Sequence, residues 1–423
     1  MRFTPQWVAA VAGILLIAGT SSAQEPSPVD EIFTPPRPLL EDAEAAEVQS
    51  WFLIPQGERL KVYGWLDGGF IGNTDSPSSK FNGPYNAVDR SNEGMFNQAY
   101  LVMERLLPKD GSFGVGGRAN LLYGEDFLLA QSAGWELSPA GRQRVNAGQE
   151  FYGIAMPQLY GQVGTEKLNV KLGHFYSPVG YEGVMSPYNF FYSHSYSYQF
   201  FGPFTHWGSL GNWKPTANLD VFGGLVNGWN ALDRQNDAIN VLAGFKYTGT
   251  NKNWWTSFAI VTGDEFTNVA GLPGVAAGQA NRTRYSYILS VDLTDRLEYV
   301  FHHHLGAQQD GSPDGGTALW YGIDQYLYYT VNEQWKVGSR IEWVRDNDGT
   351  RIGLNRPSNP NNPPLEGDVF SFTFGANWSP LGGNLIIRPE LRADWYNGDG
   401  RQPYYDGTKD YQFMLGLDAI LRF

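Results

Sequence analysis

Arg388, Glu390, Arg392 and Asp394 occupy alternate positions in the stretch LIIRPELRADW, Leu385 to Trp395, with Ile387, Pro389, Leu391 and Ala393 between them. Such a row contains no nucleophile. Its chemistry is a fixed field, which can bias passing ions. On a helix, steps of two residues rotate by about 200° and would scatter these charges around the axis. On a strand they share one face and leave the other apolar. The pattern therefore predicts a strand with water or a polar cavity on its charged side only.

Other candidate chemistry in the chain is weaker. His302, His303 and His304 invite a metal site, but strand alternation turns His302 and His304 to one face and His303 to the other, leaving no third ligand. RDNDGTRIGLNRP carries a fragment of a calcium loop, with Pro357 where the bidentate glutamate should fall, so Asp348-Gly349 reads as a polar turn. The glycines of GVGGRANLLYG lie in a strand pattern with no helix after them and do not form a phosphate cradle. His194, Ser195 and His206 cluster in sequence without a nucleophile motif; a membrane-embedded lipid hydrolase would need a serine and histidine on the lipid side with an orienting partner. No enzyme is expected, and no cofactor or metal.

Composition bounds the surroundings of that charged strand. The 423 residues are 42% hydrophobic and 15% aromatic, with 51 glycines and no cysteine, which removes disulfides, thiolate metal sites and cysteine nucleophiles. The net charge of -13 argues against a nucleic-acid partner, which would call for a basic face. After the first twenty residues no run approaches the roughly 18 apolar positions of a spanning helix. A transmembrane barrel remains open, because half of each strand faces the lumen and keeps the mean hydropathy, here -0.35, in the range of water-soluble proteins.

The N-terminus has the form of an export signal: Arg2, the apolar run Trp7 to Ala18, then Ser21-Ser22-Ala23, with cleavage expected after Ala23. A buried helix is the alternative. Residues 1–23 are thus read as signal, 24–57 as a mobile periplasmic extension rich in proline and acid, and 58–423 as the barrel domain.

From Leu60 onwards, alternating strands are joined by short turns and long loops in turn. Short turns fall near Pro108, Thr165, Lys214, Thr250, Thr294, Asn332 and Pro380. Long connections begin at Asn73, Glu125, Ser177, Trp229, Asp264, Gly306, Arg345 and Asn397. Seven short and eight long connections make sixteen strands. The fold expected is all-β: a transmembrane antiparallel up-and-down β-barrel with short periplasmic turns and long external loops, because an open sandwich has no reason to segregate its tight turns to one end. In YQFMLGLDAILRF, Phe413, Leu415, Leu417, Ala419, Leu421 and Phe423 form the lipid row, opposite Asp418 and Arg422. Tyr247, Trp255, Trp335, Trp343, Trp378 and Trp395 suit interfacial girdles. Pro389 conflicts with its strand, since it removes a ladder hydrogen bond; a bulge or an unpartnered position would reconcile it.

From about Tyr63 to Phe423 the chain resembles the OmpL-like β-barrel porins of Gram-negative outer membranes. The resemblance rests on GHFYSPVGYEG (Gly173 to Gly183), YSHSY (Tyr192 to Tyr196), THWG (Thr205 to Gly208), NGW (Asn227 to Trp229), WYG (Trp320 to Gly322), RIEWVRDNDG (Arg340 to Gly349) and the terminal Phe423. It departs from the family at His174, where the pattern has lysine. The resemblance implies an outer-membrane pore for passive diffusion of small hydrophilic solutes or ions, in contact with lipid and lipopolysaccharide. Phe423 looks like the signal read by barrel-assembly machinery. A homotrimer is expected by analogy with other sixteen-stranded porins.

The charged face is then the lumen. Arg340, Arg388, Arg392 and Arg422, with Arg118, Lys171 and Lys246, supply its positive charge, and Asp67, Glu104, Glu342, Glu390, Asp394 and Asp418 its negative charge. Arg340, Arg388 and Arg392 could form a positive ladder braced by Glu342 and Glu390 and lining the constriction, or the lumen charges could be paired and neutral. The third long connection, rich in tyrosine and phenylalanine, is expected to fold inward, with Glu182, Tyr188, Tyr192, His194 and Tyr196 as lining residues. Its rings could stack on flat solutes or pack the loop against the wall. A non-conducting structural or adhesive barrel is the alternative function.

Overall fold

The computed structural model describes residues 59–139, 141–233, 238–266, 278–353 and 364–423; the expected signal, the extension before residue 58 and Pro357 lie outside them. In the first half of the chain the strands are β1 (Leu60–Asn73), β2 (Glu93–Arg105), β3 (Gly114–Gly124), β4 (Gly153–Ala155), β5 (Leu159–Gly164), β6 (Leu168–Tyr176), β7 (Thr205–Thr216), β8 (Leu219–Val226) and β9 (Asn240–Thr248). The second half supplies β10 (Trp254–Phe266), β11 (Gln279–Thr294), β12 (Leu297–Gln308), β13 (Ala318–Asn332), β14 (Trp335–Asp346), β15 (Gly367–Trp378), β16 (Leu385–Gly398) and β17 (Tyr411–Arg422). Each pairs antiparallel with its sequence neighbours around the wall. β4 and β5 both pair with β3, at Leu122↔Ala155 and Ala119↔Leu159, so together they make one wall strand interrupted at residues 156–158. Sixteen wall strands result, closed by β1 against β17 from Trp65↔Arg422 to Asn73↔Met414. The seam is sealed to its last residue: Phe423 N donates to Gly64 O and Gly64 N to Phe423 O, each at 2.9 Å.

Closure matters because lipid offers no hydrogen-bond partner to a free strand edge. β11, at 16 residues, and β13, at 15, exceed the roughly 9–11 that cross a hydrocarbon layer at a tilt. Facing follows alternation. Leu417 is 50% exposed on the outside while its neighbour Asp418 is 1% exposed on the inside. At Pro389 the β16–β17 rung continues, Pro389↔Leu417, whereas β15–β16 pairing lapses between Gly375↔Glu390 and Trp378↔Ile387 without a change of register. The proline thus sits where its missing N–H interrupts one ladder locally, with no bulge.

The girdle forms with one correction. Trp335 stacks on Trp378 with centroids 5.6 Å apart, and Trp395 on Phe370 at 5.5 Å. Trp255, however, lies on the lumenal row, 5.0 Å from the Lys246 Nζ, while Trp254 faces out against Tyr247. Two adjacent tryptophans gave alternation nothing to choose between.

Candidate functional site

External loops enter the lumen, and the third bonds to its charged wall. Its residues 177–204 leave β6, make a 3-10 turn at Ser186–Tyr188, run back along the wall, and enter β7 after helix α1 (Tyr196–Phe200). Ser195 caps α1 by accepting from Tyr198 N at 3.2 Å. The wall makes room with glycine: a Cβ at Gly69 would fall 2.5 Å from the Tyr192 ring, and one at Gly338 2.8 Å from Phe190, so these rings rest on bare backbone. Tyr181 packs on Tyr326 at 4.5 Å and Phe190 on Tyr328 at 4.7 Å.

The charged rows are what hold this loop. Arg388 Nη1 donates to Ser186 O at 2.9 Å and Asn189 O at 2.7 Å, and its Nε contacts Asp418 at 3.0 Å. Arg340 Nη1 donates to Ser193 O and to Glu182, both at 2.8 Å. Arg392 Nη1 donates to His194 O at 2.7 Å, and its Nε to Asp394 at 2.8 Å. The carboxylates take the loop's donors: Glu390 accepts from Ser193 N at 3.1 Å, Glu342 from Tyr196 N at 2.6 Å, and Asp67 from the Ser186 hydroxyl at 2.5 Å. Alternating wall charges therefore match the carbonyls and amides of an irregular segment that has no sheet partner of its own. Register sets the spacing: Arg340 and Arg392 both face Thr373 across their ladders.

The positive charge of this row is compensated. Arg340 lies 3.2 Å from Glu342, Arg392 lies 3.5 Å from the same carboxylate, and Arg388 pairs with Asp418. Glu182, on the loop, is pushed up by burial, but the Arg340 charge and hydrogen bonds from His194 and Ser195 N hold its carboxyl well below the usual range. Asp126, just after β3, is the opposite case: burial raises it to about 7 despite a bond from Gln98 Nε2 at 2.7 Å.

The remaining candidates divide by place. Tyr188 meets Trp65 edge-on at 6.4 Å, Tyr192 is buried, and His194 Nδ1 lies 3.3 Å from Glu182. Arg118 pairs with Glu104 at 3.4 Å on β2 and β3, and Lys171 Nζ sits 4.5 Å from the Tyr160 ring centroid, both away from the arginine row. Arg422 is half-buried opposite Trp65 near the terminal seam, apart from the cluster. On the external side Tyr196 bonds Tyr404 of the eighth loop at 3.0 Å, and Tyr85 of the first loop bonds Asp394. Neither Tyr85 nor Tyr404 had any periodic signal in the sequence. Asp324 also escaped it. This carboxylate accepts from Ser197 and lies 2.8 Å from His302 Nδ1, whose Nε2 contacts Ser286 at 3.0 Å. That serine–histidine–aspartate chain faces the lumen, not lipid, and ties α1 to the wall. His303 faces outward against Tyr285.

A closed sixteen-stranded barrel with an apolar outer band, a charged lumen and an inward third loop defines a porin of the Gram-negative outer membrane. Residues 59–423 match the family described as "Putative beta-barrel porin-2, OmpL-like", and the chain belongs to that family. The fold is similar to the outer membrane channel DcaP of Acinetobacter baumannii, at 12% identity over 86% of this chain and 97% of that one, TM-score 0.56. It is similar to an anion-selective porin from Comamonas acidovorans, at 9% identity over 86% and 99%, TM-score 0.53. The trimer form of OmpT from Vibrio cholerae aligns at 9% identity over 86% and 99%, TM-score 0.50. No curated protein matches the chain in sequence. Family and fold are those of a channel.

Proposed function

We propose that the protein is a diffusion porin for small hydrophilic solutes and ions, in which the third loop is the constriction and the arginine row of β14 and β16 is its fastening. The observation that carries this reading is that four loop carbonyls, of Ser186, Asn189, Ser193 and His194, each accept from Arg388, Arg340 or Arg392. A planar guanidinium fork can bond a carboxylate and a carbonyl together, which a lysine cannot match. On this reading the ladder positions the loop, and selectivity comes from what the loop leaves open. Planar-bilayer recording of Arg388→Ala plus Arg392→Ala separates the two roles. Fastening predicts larger, noisier conductance; a filter role predicts a shifted reversal potential at unchanged conductance.

A non-conducting barrel is the second reading, favoured by the closure of Tyr85, Tyr196 and Tyr404 over the ladder, all three buried. Single-channel steps from wild-type protein support the porin; silence in both wild type and a loop-deleted variant supports the closed barrel. We read the assembly as a homotrimer bathed in outer-membrane lipid and lipopolysaccharide, with Phe423 as the mark for barrel assembly. The mass of the detergent-extracted complex tests the trimer.

A further inference from the structure

One buried arginine of the lumenal wall is held differently from Arg118, Arg282, Arg340, Arg388 and Arg392, each of which has a carboxylate within 4.0 Å. Arg284 on β11 is 1% exposed, yet among the described residues it has no carboxylate partner within 4.0 Å; its Nη1 donates to the Val179 carbonyl, and its Nε has no acceptor. It borders a cavity of about 40 Å³ between the third loop and the wall, lined also by Ser177, Glu182, Ser197, Tyr198 and His302. The buried Tyr198 hydroxyl has no hydrogen-bond partner among the described residues either.

Both carboxylates near this cavity hold bonds elsewhere, and neither comes within 4.0 Å of Arg284, although Asp324 keeps one oxygen without a hydrogen bond. Glu182 is held by Arg340 at 2.8 Å and by Ser195 N at 2.8 Å, and Asp324 by His302 and Ser197. A buried guanidinium with a donor left unfilled is destabilising unless an acceptor of negative charge completes it. We propose that Arg284, with the Tyr198 hydroxyl, forms a binding site for a small oxyanion, a carboxylate or phosphate group. The size agrees. On the same measure one water takes about 10–15 Å³, so the cavity holds roughly three water-sized groups, enough for the head of such an anion and too little for a sugar ring. The guanidinium fork offers two parallel N–H groups to two oxygens, which favours an oxyanion over chloride. Gly202 fixes the pose, since a Cβ there would fall 2.3 Å from Arg284 Nη1.

As a station on the permeation path the site rests on the channel reading; as a binding site it does not. The test is thermal unfolding of the full chain in detergent at matched ionic strength with inorganic phosphate, acetate or chloride, beside bilayer current under the same salts. Phosphate or acetate should raise the unfolding temperature above chloride. Arg284→Gln should weaken that concentration dependence by about tenfold or more, the size of one lost charge-assisted hydrogen bond. Arg345→Gln, on the outer face against Asp368, should leave it intact. Gly202→Ala, which keeps the charge and displaces it, should weaken it as Arg284→Gln does. Equal stabilisation by all three anions, or an unchanged response in folded Arg284→Gln, overturns the site and assigns the cavity to water. Oxyanion stabilisation without any bilayer current keeps the site and overturns the channel reading.

Discussion

The wall of β14 to β17 and the wall of β11 present the same residue type to the same loop in opposite ways. On the first, Arg340, Arg388 and Arg392 are each bound to a carboxylate and to a loop carbonyl. On the second, Arg284 meets a carbonyl and a cavity, with no carboxylate. A guanidinium neutralised by a fixed carboxylate has little charge left for a solute and acts as a clamp. One left short of acceptors is where a mobile anion gains most. Lumenal charge by itself therefore does not define the site; the fixed carboxylate that neutralises it, or its absence among the described residues, does.

The largest effect expected from breaking this contrast is loss of the clamped segment itself. Deleting residues 189–197 removes the Asn189, Ser193 and His194 carbonyls that the arginine row holds. Bilayer conductance should rise severalfold, and an unchanged value rules the loop out as the constriction. Arg388→Ala plus Arg392→Ala should come next. Removing one partner of a buried pair costs about 3–5 kcal/mol, and here it also frees Asp418 and Asp394 of their cations. The unfolding temperature should fall and the conductance rise, by less than in the deletion because Arg340 still grips Ser193. Gly69→Val is a subtler probe: its side chain would displace Tyr192 and press on Asp418, whose Cβ lies 2.7 Å from a Cβ at that position, loosening the loop while removing no charge.

How much of this was legible in the sequence depends on which interactions are local. Alternation along LIIRPELRADW and YQFMLGLDAILRF sorts wall residues because the strand period is a property of the chain itself. The split between short turns and long loops gave the strand number, including a wall strand that breaks at residues 156–158, where Gln158 O still accepts from Asn120 N at 2.9 Å. The arginine row and the third loop could each be seen; their mutual bonding could not, since it joins groups as far apart as Ser186 and Arg388, 202 residues away in the chain. Arg284 lies in the alternating stretch RTRYSYILS and had the periodic signal of a lumenal residue. What marks it is the absence of an ion partner, and only three-dimensional packing decides that.

The smallest expected effect concerns a group that sharpens the contrast from the acidic side. Asp126 is raised to about 7 mainly by burial, so near neutral pH the folded protein holds a proton that the unfolded chain, with an ordinary carboxyl near 3.8, has released. A folded state that binds more protons loses stability as pH rises. This contribution is fully present below the unfolded value, declines between it and about 7, and is gone above. The unfolding temperature of wild type should thus drop between about pH 5 and about pH 8, and Asp126→Asn, which keeps an oxygen for Gln98 Nε2, should drop less. Arg388 bears on the slope, because its charge lowers Asp126 from nearby. In Arg388→Ala the carboxyl should hold its proton to higher pH and the drop should move upward. An identical pH profile in wild type and Asp126→Asn would show that the carboxyl is hydrated in solution, and that the plug above the arginine row is looser than its packing indicates.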